Sequence, residues 1–437
     1  MKAAVIGGGL AGCAAALELV DAGHDVTLFE ARPTLGGAVQ TLPERAGDPV
    51  PPPDNGQHIA LGCFTEYLAF LERIGESGSV RRMRLSLPVV DAERRWAQIS
   101  PATILLARYR HLPLRDRPLA WQLLALRGAR ADEHDDETFA DFLLGKGQSP
   151  RAIERFWDVF IRPALNLPCA EASAAMGIFT VQAALLSGLR ASELVLPTKP
   201  LGWMHGDAAL RTLERRGAQV ETGVRVDDVD DVAADAIVVA TPPAESARLL
   251  GEPEPKLEPS PIVSVHLLFD RPLLRTPLAA LLDSDAHWLF DRSALTGVSP
   301  SKKAPVRDSG PGEGVRGNRE VPPWPADAQY LTVVSSGVPE LMEVRGRELV
   351  ERIAGQVTER LGDAELLWSR VSREPNATVA LRPGTAAQRP GPLTERPHVT
   401  RAGAWTATGW PATMESAVRS GRTASRLLSD MTTKVAA

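Results

Sequence analysis

Several things are scarce in this 437-residue chain, and each scarcity removes a class of function. There is no long basic run, and 49 Lys and Arg stand against 54 Asp and Glu, a net charge of −5. Nucleic acid needs a concentrated positive surface, so no nucleic-acid partner is expected. Cysteine occurs three times, as Cys13, Cys63 and Cys169. Such wide spacing gives neither a metal-ligand pattern nor a disulfide framework; it suits a reducing cytoplasm, and no metal is expected. No apolar run approaches the roughly 20 residues of a membrane-spanning helix. Tyrosine occurs three times as well. The remainder, 44% hydrophobic and 24% charged, is ordinary for a globular protein whose length calls for more than one lobe.

Glycine, by contrast, is concentrated at both ends. The chain starts into Val5-Ile6-Gly7-Gly8-Gly9-Leu10-Ala11-Gly12. Residues 3–6 read as a strand, 10–22 as a helix and 25–29 as a second strand, so Gly7, Gly9 and Gly12 form G-x-G-x-x-G in a βαβ unit. The first glycine permits the tight turn, the second admits a pyrophosphate to the backbone, and the third lets the helix pack on the strand. The helix start at Leu10 and Ala11 favours negative charge. Leu10-Ala11-Gly12-Cys13 also has the wording of a lipoprotein signal. The apolar run is short and Glu18 and Asp21 follow at once, so a strand and helix are expected instead. Glu30 ends the second strand, where its carboxylate can accept from ribose hydroxyls and would repel a 2′-phosphate. Ala31, Arg32 and the pair Gly36-Gly37 extend the phosphate side.

Near the C-terminus a second glycine turn opens a helix, Gly403-Ala404-Trp405-Thr406-Ala407-Thr408-Gly409-Trp410-Pro411-Ala412-Thr413-Met414-Glu415. A chain that returns to its first ligand after almost four hundred residues has the habit of a flavoprotein. Gly403 and Gly409 allow close approach. Backbone N–H groups near Ala412, Thr413 and Met414 can face the N1/C2-carbonyl end of a reduced flavin. Between the ends, residues 64–75, 139–144, 153–165 and 346–361 have helical spacing. Residues 217–226, 236–240 and 261–269 read as strands, with Val226 as the adenine contact. Residues 99–195 show no clear strand. Residues 299–325, rich in Pro, Gly, Ser and charge, read as a mobile insertion.

These motifs resemble the amine oxidase and phytoene desaturase superfamily. Asp54-Asn55-Gly56-Gln57-His58, Trp288-Leu289-Phe290-Asp291-Arg292 and Gly409 to Glu415 are similar, more narrowly, to the squalene-associated FAD-dependent desaturases, the group of hydroxysqualene dehydroxylase in squalene and hopanoid synthesis. Phe156-Trp157, Pro163, Asn166, Arg389-Pro390 and Thr394 fit the same pattern. Two positions depart from it. Ala38 stands where the family has Arg after the double glycine, and Ala404 where it has Asp.

The resemblance implies an α/β fold: a discontinuous, Rossmann-like FAD-binding domain of the glutathione-reductase kind (1–90, 196–250 and 395–437), a helical lobe (91–195) and a mixed-sheet substrate domain (251–394). It implies FAD as cofactor, a C30 isoprenoid, hydroxysqualene, as substrate, and an unidentified electron donor. His58 is the expected proton donor to the departing hydroxyl, with Asp54 and Gln57 beside it. Trp157, Phe160, Phe179, Trp288 and Phe290 are candidates to line an apolar tunnel. Residues 101–130, mixing Leu and Trp with six Arg, are expected to lie on a membrane. The implied location is cytoplasmic, peripheral on the inner face of the cell membrane. A related carotenoid desaturase or amine oxidase, or a non-catalytic isoprenoid-binding protein, are the alternatives.

Overall fold

A computed structural model describes residues 1–300 and 324–435. The expected insertion at 299–325 lies almost wholly outside the described residues. A five-stranded sheet is parallel throughout, in the order Val399–Arg401, Ala236–Val239, Lys2–Ile6, Asp25–Glu30, Gln219–Thr222. Its strands come from both ends and the middle of the chain. The central strand is apolar and closed on both sides, as a parallel sheet requires. Helix Leu10–Asp21 lies against it with nine of its residues buried. Cys13 is among them, its thiol pushed up to about 12 by burial and pointing at the Gly8 carbonyl. The C-terminal helix, Met414–Val435, packs on that first helix. A Cβ on Gly421 would come within 2.0 Å of the Ala11 carbonyl oxygen, so only glycine lets the two helices cross this closely.

The second sheet has seven strands: Leu366–Val379, Pro259–Phe269, Gln329–Ser336, Trp288–Asp291, Leu278–Leu281, Leu87–Val90 and Trp96–Ile99. It is antiparallel except where Leu278–Leu281 meets Leu87–Val90. The boundary expected at residue 90 thus falls inside a hairpin of this mixed sheet. A small antiparallel sheet joins Ala60–Leu61, Leu194–Pro197 and Val80–Met83.

Residues 101–186 are helical, as their spacing suggests. Their core is shared with the mixed sheet: Phe139, Phe156, Trp157 and Ile178 join Leu278 and Phe290 in one apolar cluster. The segment 153–165 begins as a π-helical turn, Ile153–Trp157, before Asp158–Leu165. Pro163 cannot donate its backbone hydrogen bond, so the helix ends soon after, at Asn166 with φ 55°. The Asn166 amide reaches the Ser260 and Pro261 carbonyls at 2.9 and 3.1 Å, pinning the helical lobe to the mixed sheet. Strand 217–226 is shorter than expected, Gln219–Thr222, because positive-φ Gly223 turns the chain out of it. The last helix starts at Met414, three residues after Pro411.

Candidate active site

The glycine turn is held by backbone geometry. Gly7 has φ 108°, and a Cβ there would lie 2.6 Å from the Ala240 oxygen. At Gly12 it would lie 1.8 Å from the Gly7 oxygen. The Gly7 N–H donates to the Phe29 carbonyl at 2.8 Å. Glu30 closes the turn from below: its carboxylate accepts from the Gly8 N–H at 2.6 Å and the Arg32 N–H at 2.8 Å. Gly36 donates to the Gly8 carbonyl at 2.8 Å, so the double glycine lies flat against the turn. A Cβ on Gly37 would lie 2.8 Å from the Gly9 Cα. Arg32 reaches back to the Gly37 carbonyl at 3.3 Å. The second side of the pair is Gly206, in the π-helical turn Trp203–Asp207, where a Cβ would lie 2.2 Å from the Leu35 oxygen. Leu10, Ala11 and Ala31 follow the turn and the second strand. Val226 sits past the shortened strand, packed with Phe29 and Val229.

The double-glycine loop is tied to the Asp54–His58 segment. The Asn55 side-chain amide donates to the Ala38 carbonyl at 2.7 Å, and the Asn55 N–H to Gln40 at 2.9 Å. Ala38 therefore serves the loop through its backbone, whatever its side chain lacks. Asp54, expected beside the reaction, is fully buried and committed on every side. One oxygen accepts from Thr41 Oγ1 at 2.7 Å and the Leu201 N–H at 2.9 Å. The other meets Arg292 Nη1 at 2.5 Å. The same nitrogen donates to Gln57 at 3.0 Å, and Arg292 Nη2 donates to the Pro52 carbonyl at 3.1 Å. His266 donates from Nε2 to the Asp54 carbonyl at 2.8 Å. Asp54 and Arg292 are thus positioning groups: they fix the loop that carries Gln57 and His58. Sequence gave Arg292 no role, although its Trp288–Arg292 motif was visible.

Gln57 Nε2 and His58 Nδ1 are buried and unpartnered, as are Gln40 Nε2 and Thr241 Oγ1. Unpaired buried polar atoms are costly, and Thr241 beside the Gly7 turn and Gln57 and His58 on the neighbouring loop leave groups that a polar-edged ligand can satisfy. Burial lowers the His58 pKa below 6.5; the Asp54 charge and the Gly56 carbonyl oppose this without reversing it. Burial thus favours the neutral imidazole over the imidazolium. Behind it lies His205, which sequence did not single out. Its Nδ1 donates to the Leu201 carbonyl at 2.8 Å, so its Nε2 accepts from the Tyr67 hydroxyl at 2.7 Å. Burial pulls its pKa down to about 4.

The C-terminal turn completes the floor. Gly403 has φ 155°, and its N–H donates to Ser420 Oγ at 2.9 Å. The Trp405 indole donates to the Thr241 carbonyl at 3.1 Å, joining this turn to the Gly7 turn. Gly409 also has positive φ, 75°. Thr413 lies at the N-terminus of the last helix and its carbonyl accepts from Ala417 at 3.0 Å. Glu415, fully buried, caps a different helix by accepting from the Tyr67 N–H at 2.8 Å. Beneath Ala404 lies Arg389, also missed as a role. Its guanidinium donates to the carbonyls of Ala404, Trp405 and Trp410 at 2.9, 3.2 and 2.7 Å. Burial draws its pKa down to about 10, so it stays cationic at neutral pH.

Of the aromatics expected along a tunnel, Trp157 is core: it is fully buried and its indole donates to Gln148 at 2.8 Å. Phe179 is partly buried and meets Trp410 edge-on at 5.1 Å between centroids, so it does reach the C-terminal turn. Trp288 and Phe290 stack at 6.0 Å within the mixed sheet. All three tyrosines, Tyr67, Tyr109 and Tyr330, are buried.

Residues 10–429 match the family described as flavin containing amine oxidoreductase. A hydroxysqualene dehydroxylase from Sinorhizobium fredii is 28% identical, with 97% of each chain covered. A zeta-carotene desaturase from Arabidopsis thaliana is 25% identical over 98% of this chain and 85% of its own. Among solved structures, an oxidoreductase from Methanosarcina mazei superposes with a TM-score of 0.69 at 17% identity, covering 97% of this chain and 99% of that one. The chain belongs to the flavin-containing amine oxidoreductase family: it is an oxidoreductase of that superfamily, with FAD as its cofactor.

Proposed function

We propose that the protein is a hydroxysqualene dehydroxylase. The observation that carries this reading is the Asp54–Arg292–Gln57 cluster. Two of the three segments that carry the squalene-branch resemblance, 238 residues apart, meet in one buried ion pair. The end-to-end similarity to the Sinorhizobium fredii enzyme supports the same reading.

In the proposed reaction hydroxysqualene gains hydride at its allylic carbon and loses the hydroxyl there, which takes up one proton from bulk water and departs as water, giving squalene. FAD, when bound and reduced, supplies the hydride and is left oxidised. The residues of this chain orient and shield. The glycine cradle and Glu30 hold the dinucleotide, Arg389 fixes the carbonyls of the C-terminal turn, and Asp54 with Arg292 holds the loop of Gln57 and His58. Hydroxide leaves poorly, so its oxygen needs a donor. The neutral His58 imidazole supplies a hydrogen-bond N–H, with the buried Gln57 amide as a second donor. Allylic delocalisation of developing positive charge provides the rest. An amine oxidase with a tyrosine cage beside the flavin is disfavoured, since every tyrosine is committed to the core.

The test is anaerobic single turnover. Protein reconstituted with FAD, reduced and mixed with hydroxysqualene should yield one squalene per flavin oxidised. Flavin that remains reduced, with no squalene formed, rejects the proposal. Desaturation of zeta-carotene by the oxidised protein would favour the carotenoid branch.

A further inference from the structure

The segment 101–130 resolves into two faces that sequence could not separate. Helices Pro101–Leu105 and Leu119–Arg127 pack on each other. Ile104, Leu119, Leu123 and Leu126 turn inward and join the core of the helical lobe. Leu105, Leu106, Leu114, Trp121 and Leu124 turn outward. Leu105, Leu114 and Trp121 are 71, 78 and 74% exposed. These five are half of the ten exposed large hydrophobics among the described residues, gathered into twenty positions. Scattered exposed leucines need no explanation; a cluster of this kind does.

Within the segment itself basic residues predominate, although Arg115 pairs with Asp116 and Arg130 with Asp132 and Glu133. Residues 101–130 contain six arginines and a single acid, Asp116. Arg108, Arg110 and Arg127 are exposed and form no ion pair among the described residues. This contrasts with a chain that is net acidic. Apolar side chains beside unpaired arginines match the boundary of a bilayer, where the former enter the acyl region and the latter meet lipid phosphates. Among the described residues no helix is long and apolar enough to cross a membrane.

We infer that this cap of the helical lobe is a docking surface for an anionic lipid bilayer, on which the protein lies without spanning it. The inference rests on the patch alone and stands apart from the choice of substrate. The apolar residues supply insertion and the arginines supply lipid selectivity.

Flotation with vesicles tests it, using the full-length protein. Wild type should float with vesicles of phosphatidylcholine containing 30% phosphatidylglycerol and bind far less to phosphatidylcholine alone. Arg108→Gln/Arg110→Gln/Arg127→Gln should weaken binding to the anionic vesicles by roughly a hundredfold, at about tenfold or less per charge. It should also flatten the salt dependence. Leu105→Ser/Leu114→Ser/Trp121→Ser should abolish flotation on either vesicle. Because these side chains face solvent, bound flavin and the thermal midpoint should match wild type in both variants, which separates lost docking from lost fold. Wild type that stays unbound on anionic vesicles, or variants that float as well as wild type, overturn the inference. So does a lipid-free dimer that the Leu/Trp variant converts to monomer, since a second copy would then cover the patch.

Discussion

The cofactor cradle and the Asp54–Arg292 cluster sit side by side and are specified in opposite ways. The cradle is made of backbone. Its glycines are required because a Cβ at Gly7, Gly12 or Gly37 would strike main-chain atoms within 3 Å. The cluster is made of side chains from remote segments, each buried polar atom depending on another for its partner. Backbone specification does not depend on side-chain contacts: at Ala38 it is the carbonyl that meets Asn55. Side-chain specification is cooperative and exposed to titration.

The comparison can be broken at either end. The largest effect is expected at Gly12. Gly12→Val places carbon where the Gly7 carbonyl stands, and should cost about 4 kcal/mol or more of stability with complete loss of bound flavin. Denaturant titration and flavin absorbance report both.

Acid should attack the cluster. His266, between Thr332 and the Asp54 carbonyl, has its pKa pulled down to about 3 by burial and then by the Arg292 charge. His205 lies near 4. Their folded values are below the unfolded value near 6.5, so the unfolded chain binds more protons as pH falls. The stability they contribute is complete above pH 6.5 and is lost as pH drops toward those values. Each histidine adds a slope of up to about 1.4 kcal/mol per pH unit. A His266→Gln/His205→Gln variant should show a shallower acid limb in unfolding measured against pH.

Arg389→Met would remove the guanidinium donor from the Ala404, Trp405 and Trp410 carbonyls of the C-terminal turn, leaving Ala404 only its Ser416 hydroxyl partner. FAD affinity, read by fluorescence titration, should fall roughly ten- to a hundredfold. Ala404→Asp, which restores the family acid, should tighten FAD by up to about tenfold. The smallest effect concerns His58. A neutral hydrogen-bond donor predicts turnover that is flat between pH 6.5 and 8, and His58→Gln should retain more of it than His58→Phe. A rise in rate on acidification through pH 6.5, lost in His58→Gln, would restore the imidazolium acid.

The same division explains what could be read before folding. The Gly7 turn, the helix after it, Glu30 and the helix Gly346–Leu361 follow from local rules of turn and periodicity, and the structure holds them where those rules put them. The α/β class with a parallel and a mixed sheet came from the family resemblance, and the structure has both sheets. The role of Asp54 did not, because a carboxylate after a proline loop looks the same whether it faces substrate or a buried arginine 238 residues away. His205 gave no signal inside a helical segment. Arg389 was visible as a motif residue, but its three carbonyl partners belong to a turn that exists only once Gly403 and Gly409 adopt positive φ. In residues 101–130 composition marked an interfacial patch, yet only packing decides that Leu123 faces inward and Leu124 outward.

The most direct measurement is a double-mutant cycle across the buried pair, with Asp54→Asn, Arg292→Met and their combination compared by denaturant unfolding of the holoprotein. Arg292→Met alone strands a buried carboxylate and should cost about 3–5 kcal/mol. If the two segments form one cooperative cluster, the combined variant costs less than the sum of the singles by at least about 2 kcal/mol. Additivity within about 0.5 kcal/mol would mean that the segments act independently and that no such cluster positions the site.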